Sequence, residues 1–457
     1  MMDTSTNKDA SISTRFKAGG IMEVFVIAYP TVLTMFSHSI ISAADTLMTG
    51  HLGVSELAAV GFTSILLMTT FALFIDGIDI VNTFSSQAFG EGRPAEAGRR
   101  GWHGIYLALL SWPFMLLCVP FIGDVLHLLG PNAEVAELGR SYGEIRLYGA
   151  GLIFIHVALA SFFRGVGMVK TPMIISVAMN LLNILLDYLL IFGKFGLPAM
   201  GVDGAAWASN ISVLAGDLAL FMVFVWPAIN RRFSIWKQYS PSIILLGRMV
   251  RVGLPAGIHF FVDTLSFTIF SAIIASIGEM ELAASQIGFV VINVVFTSAW
   301  GVSIATSTLV GQYIGAGRLE TAERSAMSAG RLVFYAIVGV FLVISISPTA
   351  FVSFFTDDLE VVYLGATLLY LVVLFGLFNG PGMIAVGALR GAGDTRWIMV
   401  VSLVLAWLFY LPSAYYLVVV KGMGLIAAWS TATAYIILVS AAFISRFLSG
   451  KWKTMKI

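Results

Sequence analysis

The sequence predicts an all-α polytopic membrane protein in which twelve transmembrane helices form two pseudo-symmetric six-helix bundles. Three observations carry this prediction: an apolar composition, a series of long apolar segments, and a repeat that relates the two halves of the chain. Of the 457 residues, 58% are hydrophobic and 11% are charged, whereas soluble domains carry about 25% charged residues. The composition therefore indicates a chain that resides in a membrane.

Twelve apolar segments follow one another along the chain. Each exceeds the ~9 to 11 residues of a membrane-spanning barrel strand, and none shows the alternating polarity of such a strand, so we expect helices. The segments cover roughly residues 22–48, 55–82, 101–123, 136–163, 172–193, 203–228, 248–277, 283–313, 328–351, 360–389, 396–419 and 423–447.

The positively charged residues separate strongly between the two sides of a twelve-span chain. Of the 26 Lys and Arg, all except Arg140, Arg146, Lys194 and Lys421 fall on the side of the N-terminus. Because cytoplasmic loops are enriched in Lys and Arg, both termini are predicted to be cytoplasmic. We expect the protein to reside in the plasma membrane. If one span were missed, every later loop would change sides and the charges would no longer separate. The separation therefore also supports the count of twelve.

The two halves repeat each other at an offset of about 225 positions. The repeated features are a proline, a Gln-x-x-Gly-x-Gly-Arg loop, an Arg-Gly-x-Gly turn and an Ala-Ala-Trp sequence. They occur at Pro30 and Pro255, at 87–93 and 312–318, at 164–167 and 390–393, and at Trp207 and Trp429. The repeat predicts two homologous bundles.

The repeat also sets the predicted domain boundaries. We expect a tail at 1–21, a six-helix lobe at 22–229, a linker at 230–246, a second lobe at 247–447 and a tail at 448–457. Six spans is an even number, so both lobes enter the membrane from the same side. Parallel lobes of this kind face a midplane cavity and rock to open it to alternate sides, which is typical of secondary transporters and argues against a passive channel.

The first span carries both a proline and a carboxylate. Pro30 removes a backbone hydrogen bond and favours a hinge, as does Pro255 in the seventh span. Asp45 would lie inside the membrane, where an acid costs at least ~2.5 to 3.5 kcal/mol and usually serves a function. The first span is therefore predicted to be a moving part that carries an ionisable group.

The fifth span places a second acid beside two amides. Asn183 and Asp187 lie four residues apart, and Asn180 lies three before Asn183, so all three share one helical face. Carboxylate, amide and hydroxyl oxygens suit hard cations such as Na⁺. If Asp45 and Asp187 shared one dry site, either one would hold a proton or both would share a cation.

These motifs together resemble the multidrug and toxic compound extrusion (MATE) family. The resemblance rests on the Pro-x14-Asp-Thr-x-x-x-Gly-x-Leu-Gly pattern of the first span and on the duplicated loops and turns, and it covers residues 22–446. It implies export of cationic or amphipathic drugs or toxic metabolites in exchange for Na⁺ or H⁺, without a cofactor or nucleic acid. We expect a monomer in the lipid bilayer.

The resemblance also implies the site residues. Asp45, Asn183, Asp187 and Ser209 match the positions that hold the coupling cation in the N-terminal lobe, with Ser209 where threonine is common. Asp263 matches a C-terminal-lobe carboxylate, but its usual acidic partner in the tenth span is Asn379 here. A second-lobe cation site and a contact with cationic substrate both remain open for Asp263 and Asn379.

An enzyme, a primary pump and a flippase fit the sequence less well. An enzyme or primary pump would need a recognisable nucleophile, metal or phosphate-binding motif, and the sequence has no His-Glu-x-x-His, Gly-x-Ser-x-Gly or Gly-x4-Gly-Lys-Ser/Thr. A flippase for lipid-linked saccharides or lipids shares the two-lobe plan, but it should line its cavity with Lys and Arg. The flippase stays the alternative.

Further polar residues lie within the spans without an assigned role. Asp76, Asp79 and Asp217 could be solvated near a vestibule or take part directly. His38 and His156 could titrate near neutral pH, although we expect them to be packed hydrogen-bond donors.

Overall fold

The structure, a computed structural model, describes residues 16–129 and 132–455, and these are almost entirely helical. Lys8, Arg15 and Lys456, part of the predicted cytoplasmic charge, lie outside the described residues. The α-helices are α1 (Ile21–Gly50), α2 (Val54–Gly90), α3 (Pro94–Leu116), α4 (Val119–Leu129), α5 (Ala133–Tyr148), α6 (Ala150–Gly165), α7 (Lys170–Phe192), α8 (Gly201–Phe224), α9 (Pro227–Phe233), α10 (Ile243–Ala275), α11 (Glu279–Gly315), α12 (Leu319–Ile346), α13 (Pro348–Ser353), α14 (Leu359–Ala392), α15 (Thr395–Leu405), α16 (Leu411–Tyr415) and α17 (Gly424–Leu448).

The predicted number of spans is confirmed. Among the described residues, ten helices are long and apolar enough to cross a membrane, counting the continuous run Thr395–Val420 as one. Two bent pairs, α3 with α4 and α5 with α6, raise the number to twelve if each pair is one span. The chain is thus a multi-pass helical membrane protein.

The bends are where the structure departs from the predicted segments. The segment 101–123 is interrupted between α3 and α4 by a bend of 53°, and the segment 136–163 between α5 and α6 by a bend of 45°. At the second break, Asn210 Nδ2 donates to the carbonyl oxygen of Ile145 at 2.7 Å. The same carbonyl still accepts the helical hydrogen bond from the Gly149 amide at 3.2 Å, so Asn210 shares an acceptor of the helix at the bend.

Several helices also extend beyond the apolar segments. The α3 and α12 helices begin at Pro94 and Leu319 rather than at 101 and 328, because polar turns continue the helix outside the apolar stretch. Hydropathy marks only the part of a helix that suits hydrocarbon.

The internal repeat holds at the level of local structure. The α2 and α11 helices both contain 37 residues, and each ends near a glycine with φ of 71°, Gly92 and Gly317. In both turns the amide of the following arginine donates to the carbonyl five residues earlier, at 3.1 Å for Arg93 and 2.8 Å for Arg318. Glycine adopts this left-handed conformation without steric cost, so the duplicated Gly-x-Gly marks two equivalent helix ends.

The chain divides into two compact units whose boundaries fall inside helices. The C-terminal unit contains the described residues up to Val32 together with Ile258 onward, and the N-terminal unit contains Leu33–Gly257. Relative to the lobes predicted at 22–229 and 247–447, the units exchange the beginnings of α1 and α10. Both boundaries lie two residues beyond the repeated prolines, Pro30 and Pro255.

The core of the N-terminal unit lies between α2, α3 and α6. Phe71 and Phe154 meet edge to face with centroids 6.1 Å apart, and Phe74 contacts the same Phe154 ring at 5.5 Å. Edge-to-face and offset aromatic pairs contribute beyond the area that they bury. This packing fixes α6, which carries several of the polar groups described next.

Candidate functional site

Asp45 of α1 and Asp187 of α7 face each other. Their carboxyl groups lie within hydrogen-bonding reach of each other, and Asp187 is fully buried. No described residue donates a hydrogen bond to either oxygen of Asp187 or to Oδ1 of Asp45. Since a carboxylate has no donor, this arrangement favours a proton or a cation between the two groups.

The amide side chains of α7 lie next to this pair. Asn183 is buried (3% exposed), and its Nδ2 has no hydrogen-bond partner among the described residues. Asn180 Nδ2 donates to Ser37 Oγ at 2.7 Å, and Ser37 Oγ donates to the carbonyl of Thr34 at 2.8 Å. The predicted polar face of α7 therefore meets α1 as well. Ser37 was missed by the sequence reasoning, although it lies two helical turns before Asp45.

Arg146 is a further residue that the sequence did not reveal. It lies at the end of α5, acts electrostatically on both Asp45 and Asp187, and donates to Asn210 Oδ1 at 2.7 Å. The same Asn210 side chain occupies the break between α5 and α6. The partition of positive charge placed Arg146 away from the cytoplasm, and this was the only sequence signal for it.

Ser209 makes no hydrogen bond to the two acids. It is half-buried on α8, its carbonyl accepts from Ser212 Oγ at 3.0 Å, and no hydrogen bond joins it to Asp187. The other predicted cation ligands come together without it.

The C-terminal unit arranges its predicted acid differently. Asp263 Oδ2 lies 3.3 Å from His259 Nε2, and Tyr435 donates to Asp263 Oδ1 at 3.5 Å. Arg390, buried, lies 3.2 Å from the other ring nitrogen of His259. Asn379 is buried on α14. Asp263 thus belongs to a cluster that already contains basic and phenolic groups.

The remaining polar residues are also brought into pairs. Asp79 accepts from Arg164 at 2.7 Å and from Ser161 at 2.6 Å. His156 Nδ1 lies 3.1 Å from Asp217 Oδ1. Asp76 is buried on α2. No group of three or more His, Cys, Asp or Glu that could hold a metal ion is found within the part of the chain that the structure describes.

Relatives of the chain are found along nearly its whole length. A family model described as MatE matches residues 30–189 and 255–416. The chain is 29% identical over 435 residues to a probable multidrug resistance protein NorM of Thermotoga maritima, covering 94% of this chain and 93% of that protein. It is 26% identical over 418 residues to the multidrug resistance protein MdtK of Proteus mirabilis, covering 89% of this chain and 90% of that protein.

Solved structures of transporters share the fold. The eukaryotic MATE transporter AtDTX14 matches with a TM-score of 0.82 at 22% identity, covering 94% of this chain and 96% of that chain. A multidrug resistance MATE family transporter of the MOP superfamily, in an outward-facing conformation, matches with a TM-score of 0.83 at 21% identity, covering 96% of this chain and 100% of that chain. Since the family model spans both repeats and most of the sequence, the chain belongs to the MatE family, the multidrug and toxic compound extrusion transporters.

Proposed function

We propose that this protein is a secondary active transporter that exports cationic or amphipathic small molecules, as a multidrug efflux pump, in antiport with Na⁺ or H⁺. It acts by alternating access in the plasma membrane, as a monomer with both termini in the cytoplasm. The names of its relatives support the substrate class, and the distribution of Lys and Arg supports the orientation.

The observation that carries the proposal is the contact between the carboxyl groups of the half-buried Asp45 and the fully buried Asp187. Two carboxylates together with the nearby guanidinium of Arg146 bear a net charge of −1. One sodium ion or one proton would cancel it. Oxygens of Asn183, and of Ser209 after a local rearrangement, complete an oxygen ligand set suited to a hard cation.

The proposed mechanism connects this charge to the shape of α1. A cation enters from outside and neutralises Asp45 and Asp187, after which α1 bends near Pro30, narrows the pocket of the N-terminal lobe and expels the drug. The ion leaves on the cytoplasmic side. The position of Pro30, two residues before the boundary between the compact units, supports a hinge there. Pro255 has the equivalent position in α10.

Asp263 and Asn379 are proposed to contact cationic substrate or to form a weaker second cation site. Asp263 has an exposed fraction of 41%, so its side chain remains accessible to a ligand. The His259 and Tyr435 contacts would hold its orientation.

The test uses purified protein in proteoliposomes loaded with ethidium, a lipophilic cation. A sodium gradient without a pH gradient is imposed first, and then a pH gradient without a sodium gradient. The gradient that drives export identifies the coupling ion. Asp45→Asn should abolish export under both gradients while the protein stays folded. Asp124→Asn, which alters an exposed carboxylate of the same unit, should export normally.

Export by Asp45→Asn at the wild-type rate would contradict the assignment of the coupling site. In the same kind of vesicles, the export rates of Asp263→Asn and wild type are compared for ethidium and for a neutral probe. Equal rates of the two proteins on both probes would show that Asp263 is not part of the substrate or cation site. Transbilayer movement of a labelled lipid-linked saccharide without drug export would instead favour the flippase.

A further inference from the structure

A second buried polar cluster lies in the N-terminal unit, away from the pair of Asp45 and Asp187. It consists of His156 on α6, Asp217 on α8 and Ser176 on α7. His156 Nδ1 lies 3.1 Å from Asp217 Oδ1, and His156 Nε2 lies 3.4 Å from Ser176 Oγ. Both ring nitrogens of the imidazole therefore have a polar neighbour.

This cluster is separate from the proposed coupling site. Ser176 precedes Asp187 by eleven residues on α7, which corresponds to about 16 Å along a helix that rises 1.5 Å per residue. The hydrogen bond between Asn180 and Ser37 lies between the two levels. The two clusters thus occupy different depths of the same unit, with polar side chains between them.

The His156–Asp217 pair is deficient in positive charge. With a neutral imidazole, the pair carries a charge of −1, and its side chains are only 13% and 7% exposed. Asp217 Oδ2 is buried and receives no hydrogen bond from any described residue. An unbalanced charge in such surroundings is costly, so uptake of one proton is favoured.

Neighbouring elements do not supply the missing charge. Arg164 of α6 is bonded to Asp79 of α2. His38 of α1 interacts electrostatically with both His156 and Arg164, so it disfavours a charge on the imidazole. Other ionisable groups on the packed helices include the buried Asp76 of α2 and three groups with partners of their own. His103 of α3 accepts from the Ser242 amide, Arg146 of α5 donates to Asn210, and Asp187 of α7 faces Asp45.

We propose that the His156–Asp217 pair is a second proton-binding site of the N-terminal unit, which takes up and releases one proton in each transport cycle. The proton adds either to His156 Nε2, which then donates to Ser176 Oγ, or to Asp217 Oδ2, and the charge of the pair changes from −1 to 0. Buried chains of Asp and His are typical of proton relays in pumps and transporters. The role in the cycle rests on the proposed export function, whereas proton binding does not.

Proton binding is tested directly on wild-type protein. The chain contains six histidines, so the ring nitrogens of ¹⁵N-histidine-labelled protein in nanodiscs can be followed by NMR, with His156→Gln identifying the His156 signals. We expect the chemical shifts of these signals to change as the pH is varied over the range in which the protein stays folded, and Asp217→Asn to move the midpoint. Signals that stay constant over that range would overturn the proposal.

The role in transport is tested by the pH dependence of ethidium export from proteoliposomes. Asp217→Asn and His156→Gln should each slow export by about tenfold or more and flatten its pH profile. Asp203→Asn, which changes another carboxylate of α8, should keep the wild-type profile. Each variant is first checked for an unchanged melting temperature, and the NMR titration covers the case in which one fails to fold.

The outcomes separate this proposal from the coupling site. If the pair titrates but Asp217→Asn exports with the wild-type pH profile, the pair is a structural contact and the proposal is wrong. If Asp45→Asn exports normally while Asp217→Asn does not, the assignment of Asp45 fails and the second site stands.

Discussion

The two compact units give their carboxylates different partners. In the N-terminal unit, Asp45 and Asp187 face each other, and neither oxygen of Asp187 has a donor among the described residues. In the C-terminal unit, Asp263 meets His259 and Tyr435, and Asp394 accepts from Arg446 at 2.7 Å. The repeat that relates the two halves therefore preserves helices and turns without preserving the chemistry of their acids.

The comparison teaches which buried acids to associate with function. An acid paired with an arginine, which stays charged, is a satisfied part of the structure, and breaking such a pair is costly. An acid that faces another acid lacks a partner that a mobile proton or cation could supply. The N-terminal unit contains both kinds, because Asp79 is bonded to Arg164, so the absence of a donor is more informative than burial alone.

The largest expected effect separates the two kinds of acid. Asp187→Asn should abolish energised export, yet leave the melting temperature unchanged or higher, since it removes a charge without a donor. Asp394→Asn should keep energised export but lower the melting temperature. It leaves Arg446 without its carboxylate, which costs about 3 kcal/mol of stability. Export from proteoliposomes and thermal unfolding of the same preparations measure both effects.

The control for these variants is Asp357→Asn, which changes an exposed carboxylate of the C-terminal unit and should alter neither property. Normal export by Asp187→Asn would contradict the inference that a buried acid without a hydrogen-bond donor serves transport.

The next expected effect is on stability alone and concerns the repeated tryptophans. Trp429 is 1% exposed and donates from Nε1 to Ser285 Oγ at 3.1 Å, whereas Trp207, its counterpart in the repeat, is 45% exposed. Trp429→Ala should lower stability by about 3 to 5 kcal/mol, and Trp207→Ala by about 0.5 kcal/mol or less. The melting temperatures of the two variants measure the two losses of stability. Equal losses would show that the two halves of the repeat pack alike at this position.

The smallest effect should be shared by both units. A Cβ on Gly165 would lie 2.8 Å from the carbonyl oxygen of Asn82, and a Cβ on Gly391 would lie 2.5 Å from that of Ser307. These glycines and their neighbours correspond in the repeat, so each alanine variant should cost about 1 to 3 kcal/mol. Gly330→Ala, where a Cβ meets nothing within 4 Å, is the matched control. Destabilisation in only one unit would contradict equivalent packing.

The fold was predictable because the membrane and the helix impose simple patterns. Apolar segments of sufficient length must be helical in hydrocarbon, and the repeat located equivalent turns such as those at Gly92 and Gly317. The two bends were not predictable. At the bend between α5 and α6 the Ile145 carbonyl accepts from Asn210, which lies 65 residues later in the chain, and no local sequence pattern predicts such a contact.

The candidate site was predictable only in part. The approach of Asn183 to Asp187 follows from helical spacing, and the functional importance of Asp45 follows from the cost of a buried acid. That Arg146 acts on both acids, and that His156 pairs with Asp217, could not be read from separate helices.

The sequence by itself determined the membrane class, the number of spans, the repeat, and which residues share a face within one helix, because hydropathy and the helical period act locally. Only the tertiary structure decided which faces meet. Whether a buried acid finds a base or another acid depends on how neighbouring helices are rotated and bent, and that is set by side-chain packing between segments far apart in the chain.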